Sequence, residues 1–175
     1  HSKLVQLFQQ AGIQLLNNNT IQVGRGSARI NITGLGDVMA LQCKPEEAFR
    51  TRDPHIPTIV LSHNPDSYDR LKYFPGELFL FGHTHGGQVN LPYIWKKITP
   101  LKNKSLKSGL HIIDNRFLSI SRGLGASLPF RWFAPPEITL FTLIRGPYET
   151  IKVSQDLFEK AQNPEVVLGS TYSCR

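Results

Sequence analysis

What this sequence has little of narrows its class before any motif is read. Its 175 residues hold two cysteines and one methionine. Cys43 and Cys174 lie far apart with no metal-ligand spacing between them. That excludes a disulfide-stapled scaffold and a cysteine zinc cluster, and reads as two free thiols of a reducing compartment. No apolar run reaches the roughly 20 residues that a membrane-spanning helix needs, and no secretory leader is visible in these residues. Internal repeats and low-complexity tracts are absent, so solenoid and collagen-like architectures drop out. Acidic residues are scarce, 13 against 20 lysines and arginines, for a formal net charge of +7. Such an excess attracts anionic partners: phosphorylated substrate, anionic lipid or nucleic acid. With 40% hydrophobic residues the chain can still bury a core.

What is present converges on residues 78–88. Leu78-Phe79-Leu80-Phe81 reads as a short strand buried on both faces, entered from the turn Pro75-Gly76-Glu77 and stopped by Gly82. His83 and His85 follow at alternate positions, then Gly86 and Gly87, where the backbone can turn sharply and approach a ligand closely. A second apolar, β-rich run, Pro57 to Ser62, ends in His63, followed by Asn64 and Pro65. Open α/β sheets place their sites at the carboxyl ends of strands. A lone histidine there reads as a hydrogen-bonded structural residue. His63, His83 and His85 together read as a metal site.

Around this centre the periodicity predicts an amphipathic helix over 3–11 stopped by Gly12, a strand over Ile13 to Leu16, and a hairpin of Thr20 to Gly24 and Ala28 to Gly34. Helices are expected over Pro45 to Arg50 and Pro65 to Leu71. Further strands are expected over Leu110 to Asp114, Phe117 to Ser121, Ile138 to Leu143 and Thr150 to Val153. Residues 92–107 interleave Lys96, Lys97, Lys102, Lys104 and Lys107 with Tyr93, Ile94, Trp95 and Leu101. They read either as a solvated loop or as an interfacial patch, with aromatic rings at head-group depth and lysines on anionic lipid. Leu128 to Phe133 has a similar blend, with Phe133 expected to pack beneath the final strands.

The motifs SHNPD (62–66) and GHTHGGQ (82–88) resemble the later two metal-binding motifs of the calcineurin-like metallophosphoesterases. SRGLGASLPFRWFAPPEITLFTL (121–143) is similar to the closing segment of that family's YkuE-like subgroup, and matching motifs run from about residue 33 to 143. The resemblance implies an α/β fold, part of a four-layer α-β-β-α metallophosphoesterase sandwich. Residues 1–158 would be the carboxyl-terminal portion of one such domain and 159–175 a flexible tail. It also implies two divalent metal ions, manganese first, with iron or zinc as alternatives, since imidazoles suit these better than magnesium or calcium. His63 and His83 would hold one ion with a bridging aspartate, and His85 the other.

The family's earlier D-x-H, GD and GNH-D/E motifs do not occur upstream of residue 63. Neither His1, followed by Ser2, nor Asp37, in a GLGD setting that resembles a later loop, matches them. A missing amino-terminal half of the same domain is therefore the expected partner. It would carry the remaining ligands and the general acid, leaving no catalytic residue in this fragment. Asn64, Gly86, Gly87, Arg122 and Arg131 are the expected substrate-binding residues, with a plain turn as the alternative for the glycines and surface solubility for the arginines.

The activity implied is two-metal hydrolysis of a phosphodiester or pyrophosphate bond. The substrate would be anionic, phosphorylated and lipid-linked, such as the UDP-2,3-diacylglucosamine of lipid A synthesis. Its place would be cytoplasmic, peripheral to or anchored at the inner membrane. A broad-specificity phosphodiesterase or phosphatase and a metal-free scaffold of the same fold stay open. Nucleic acid is disfavoured as partner, because no stacking or RNA-binding motif accompanies the charge.

Overall fold

A computed structural model of the chain describes residues 2–90, 101–126, 130–144 and 166–167. The expected strand over Thr150 to Val153, Cys174, and Tyr93 to Lys97 of the basic segment lie outside those residues, as do Leu128 and Pro129.

A six-stranded sheet carries the molecule, in the order β1-β2-β3-β4-β6-β5. Its strands are β1 (Asn19–Arg25), β2 (Ala28–Gly34), β3 (Thr58–Leu61), β4 (Leu78–Phe81), β5 (Gly109–Ile113) and β6 (Arg116–Ile120). β2, β3, β4 and β6 run parallel, while β1 and β5 close the two edges antiparallel as hairpin partners of β2 and β6. This mixed sheet with few helices is an α/β fold of the kind the resemblance implies. The composition explains the placement: the all-apolar β4 sits in the interior of the sheet, while the polar-rich β1 lies exposed at an edge. Glu77 ties the strand starts together. Its backbone N–H donates to Thr58 O, its carboxylate accepts the Thr58 N–H, and its carbonyl accepts the Phe117 N–H.

Register puts Val60, Phe79 and Leu118 on one face, with Phe81 and Ile120 beyond them. All five are buried. Helices α2 (Pro45–Ala48) and α3 (Tyr68–Leu71) bring Ala48, Tyr68 and Leu71 into the same cluster, and the Tyr68 ring meets Phe79 edge-on at 5.3 Å. The opposite face is partly open. Leu61 is 36% exposed, and a groove of about 450 Å³ runs between Leu16, Leu61, Leu80 and His63.

Three expectations are corrected. Ile13 to Leu16 form no strand: helix α1 (Ser2–Gln10) ends in a capping motif at Gly12, with φ +69°, and Ile13 N–H is spent on Phe8 O. Of Ile138 to Leu143 only Leu143 is in a strand, β7 (Leu143–Ile144), paired in parallel with β8 (Val166–Val167). Ile138 and Leu140 are each 79% exposed, so the apolar run is not a buried strand. Phe133 is 71% exposed rather than packed, because it takes up a left-handed φ of 52° that directs the chain back inward at buried Ala134.

Candidate metal centre

The parallel ladder runs on past the strand ends, and this brings the first two histidines together. Ser62 N–H donates to Leu80 O at 3.1 Å and Gly82 N–H to His63 O at 3.0 Å. The residue after each of these strands' last pairs is thereby held beside its neighbour. His63 Nε2 and His83 Nδ1 face each other at 3.2 Å, with the rings 5.0 Å apart and nearly perpendicular. Burial pushes the His83 imidazole below its ordinary pKa of 6.5 and the neighbouring His63 adds to that, while Asp37 and Asp66 pull the other way. A neutral ring keeps a lone pair, which metal ligation requires.

From His83 to Gln88 the backbone is unusual. His83, His85 and Gln88 have φ of 67°, 50° and 48°, and Gly86 and Gly87 have 66° and 83°. Left-handed non-glycine residues are costly and cluster where surrounding structure over-determines them. Thr84 caps the 3₁₀ turn His85–Gly87 through its hydroxyl. His85 is held from elsewhere: its Nδ1 lies 2.9 Å from Gly125 O. A carbonyl only accepts, so Nδ1 carries a proton, and in the neutral tautomer this leaves the lone pair on Nε2.

The other expected residues are engaged within the protein. Asn64 is buried and its side chain accepts the Asp66 N–H, capping the 3₁₀ turn Pro65–Ser67. Gly86 is approached closely by Arg122: a Cβ there would stand 2.7 Å from Arg122 Cγ. Gly87 continues the turn, its N–H donating to Thr84 O. Arg122 Nε is paired with Glu137 Oε2 at 2.5 Å, and the Arg131 guanidinium donates to backbone carbonyls. Sequence reasoning missed three participants. Gly125 holds His85, and Glu137, the acid of PPEI, holds Arg122. Asp66 accepts the Lys102 N–H on both carboxylate oxygens at 3.1 Å, anchoring the described end of the lysine-rich segment to SHNPD. The acid inside each motif was the available signal for two of them.

No protein-family model and no solved structure matches the chain. Curated relatives do. Over 152 residues it is 38% identical to UDP-2,3-diacylglucosamine pyrophosphatase LpxG of Chlamydia muridarum, covering 82% of this chain and 45% of that protein. Over 140 residues it is 37% identical to the metallophosphoesterase YkuE of Bacillus subtilis, covering 78% of this chain and 49% of that one. The chain belongs to the calcineurin-like metallophosphoesterases. A third relative, phosphodiesterase YaeI of Escherichia coli, is 33% identical over 139 residues, 79% of this chain and 50% of that protein. The chain spans about half the length of these curated relatives.

Metallophosphoesterase membership implies divalent metal ions, and the donors present can be tested against them. Two nitrogens about 2.1 Å from one ion stand about 3.0–3.4 Å apart, depending on whether the angle is octahedral or tetrahedral. The His63–His83 spacing of 3.2 Å falls inside that range. Among the described residues no group of three or more His, Cys, Asp or Glu side chains converges on one point. Two imidazole nitrogens are fewer donors than the four an ion such as zinc takes. No helix among the described residues is long and apolar enough to cross a membrane.

Proposed function

We propose that the protein to which this chain belongs is a two-metal hydrolase of phosphodiester or pyrophosphate bonds. His63 and His83 share one ion and His85 serves the other. The observation that carries this reading is the His63–His83 pair, its ring nitrogens facing each other at 3.2 Å at adjacent parallel strand ends. The remaining ligands, carboxylates above all, come from the part of the domain that the relatives, about twice as long as the matched stretch, have beyond it. When bound, divalent ions supply charge to the phosphate oxygens and lower the pKa of a bound water; manganese, iron and zinc all suit the imidazoles. The chain's own contribution is placement. Sheet register brings two rings together, burial favours the uncharged form of His83, and Gly125 takes up the His85 Nδ1 side.

The substrate we favour is lipid-linked, of the diacylated UDP-sugar kind named for the chlamydial relative. Support comes from exposed apolar side chains beside the site in a chain that is basic as a whole. Leu124, Phe130, Trp132 and Phe133 are all more than half exposed around the loop that holds His85, in a chain of net charge +7. The same surface suits peripheral attachment to the cytoplasmic face of the inner membrane. A broad phosphodiesterase without lipid preference is the second reading, favoured by the relative named for that activity.

The full-length protein, supplied with Mn²⁺, separates them. Release of UMP from UDP-2,3-diacylglucosamine at well above the rate on bis(p-nitrophenyl) phosphate supports the lipid reading, and the reverse order supports the second. Metal-independent behaviour, or silence on both substrates, sinks the hydrolase assignment. His83→Ala should abolish whichever activity is found.

A further inference from the structure

The closing segment carries two arginines that look available for a phosphate, and one of them is spent in an informative way. Arg131 Nη1 donates to His85 O at 3.3 Å and to Ala134 O at 3.1 Å. Its Nη2 donates to Arg122 O at 2.8 Å, to Gly123 O at 3.0 Å and to Gly125 O. The remaining nitrogen, Nε, is buried with no hydrogen-bond partner among the described residues. A guanidinium has five N–H groups, four of them on the two terminal nitrogens. Five carbonyls exhaust those four, and nothing is left pointing outward for a substrate oxygen.

Two of the five acceptors belong to the same histidine system. Arg131 grips His85 directly by its backbone carbonyl, and it grips Gly125, whose carbonyl in turn receives the His85 Nδ1 proton. The oxygen of Gly125 has two lone pairs, one for each donor. Ring and backbone of His85 are thus referenced to one rigid planar fork 46 positions further along the chain. Lysine cannot substitute, since a point charge on a flexible stem cannot hold five carbonyls in a plane. Metal-ligating histidines are commonly oriented by what their other nitrogen donates to, and loss of that partner weakens metal affinity about 10- to 100-fold.

We propose that Arg131 is a positioning residue for His85. It holds the Gly123–Gly125 turn in place, so that the imidazole is confined to the Nδ1–H tautomer with Nε2 free. This rests on the reading of His85 as a metal ligand only for its consequence in metal binding; the tautomer itself is independent of it.

Multiple-bond ¹H–¹⁵N NMR on the metal-stripped full-length protein, with His85 assigned by loss of its signals in His85→Gln, reads the tautomer directly. A single Nδ1–H form is expected in the wild type. Arg131→Lys should give mixed tautomers, Mn²⁺ affinity lower by about 10- to 100-fold, and an unchanged KM for a soluble phosphodiester. An Nε2–H wild-type ring overturns the proposal even if the variant fails to fold. So does an Arg131→Lys protein that keeps the single tautomer and instead shows a raised KM, the signature of a substrate-binding arginine. An Nδ1–H ring in a wild type that takes up no Mn²⁺ would uphold the positioning and remove only the metallohydrolase reading.

Discussion

His63 and His83 are held by a sheet; His85 is held by a turn 40 residues away in sequence. The first pair inherits its geometry from backbone ladder bonds and from buried Val60, Phe79 and Phe81 beneath them. The third depends on a bracket of side chains from residues 122–137, built on Arg122, Glu137 and Arg131 around the left-handed turn at Gly86. One half of the site therefore shares the stability of the fold. The other can loosen by itself.

The comparison breaks most visibly at Phe79. Truncation to Ala in the fully buried sheet core should cost about 3–5 kcal/mol in denaturant unfolding, and the His63–His83 contact should disappear with the sheet rather than before it. A loss under about 1 kcal/mol would mean that the ladder alone holds the pair. Gly86→Val tests the other half. Its φ of 66° and the 2.7 Å approach to Arg122 Cγ should cost about 1–3 kcal/mol, seen as faster amide exchange over residues 84–88 with β3 and β4 still protected. Uniform protection there would show that the bracket has no separate existence. Glu137→Gln sharpens the point more gently. The pair it weakens is about a third exposed on the arginine side, so about 0.5–1 kcal/mol is expected, again confined to the His85 turn.

The smallest effect is that of pH on folding through His83. Its pKa is lowered by burial, so the folded state resists protonation more than the unfolded chain does. Its contribution is complete above the ordinary value of 6.5 and is lost as pH falls through the lowered one, which a series of urea midpoints would record. In the full-length protein, metal uptake should weaken over the same descent, because protons compete for the ring nitrogens.

The same division separates what was legible in the sequence from what was not. Short apolar runs ending at glycine or histidine announce β3 and β4, and a parallel sheet places such ends side by side. The hairpin of β1 and β2 shows itself by the glycine at its turn, which the structure places at Gly26-Ser27, one residue later than the Arg25-Gly26 expected. By contrast, nothing in a local window reveals that Arg131 meets carbonyls at 85, 122, 123, 125 and 134. An arginine in a basic chain reads as free to bind phosphate until its acceptors are seen. Ile138 and Leu140 mislead for the opposite reason: alternation predicts a half-buried strand, but no described partner covers them.

The ladder that continues past the strand ends also says where this chain can change length. A residue inserted near Tyr73, 79% exposed in the connection between α3 and β4, would lengthen a surface turn and leave the register of Val60 with Phe79 untouched. A residue deleted within Leu78–Phe81 would slide every later side chain to the opposite face, turning His83 away from His63. Among descendants of this sequence, gaps should therefore collect at the first place and be purged from the second.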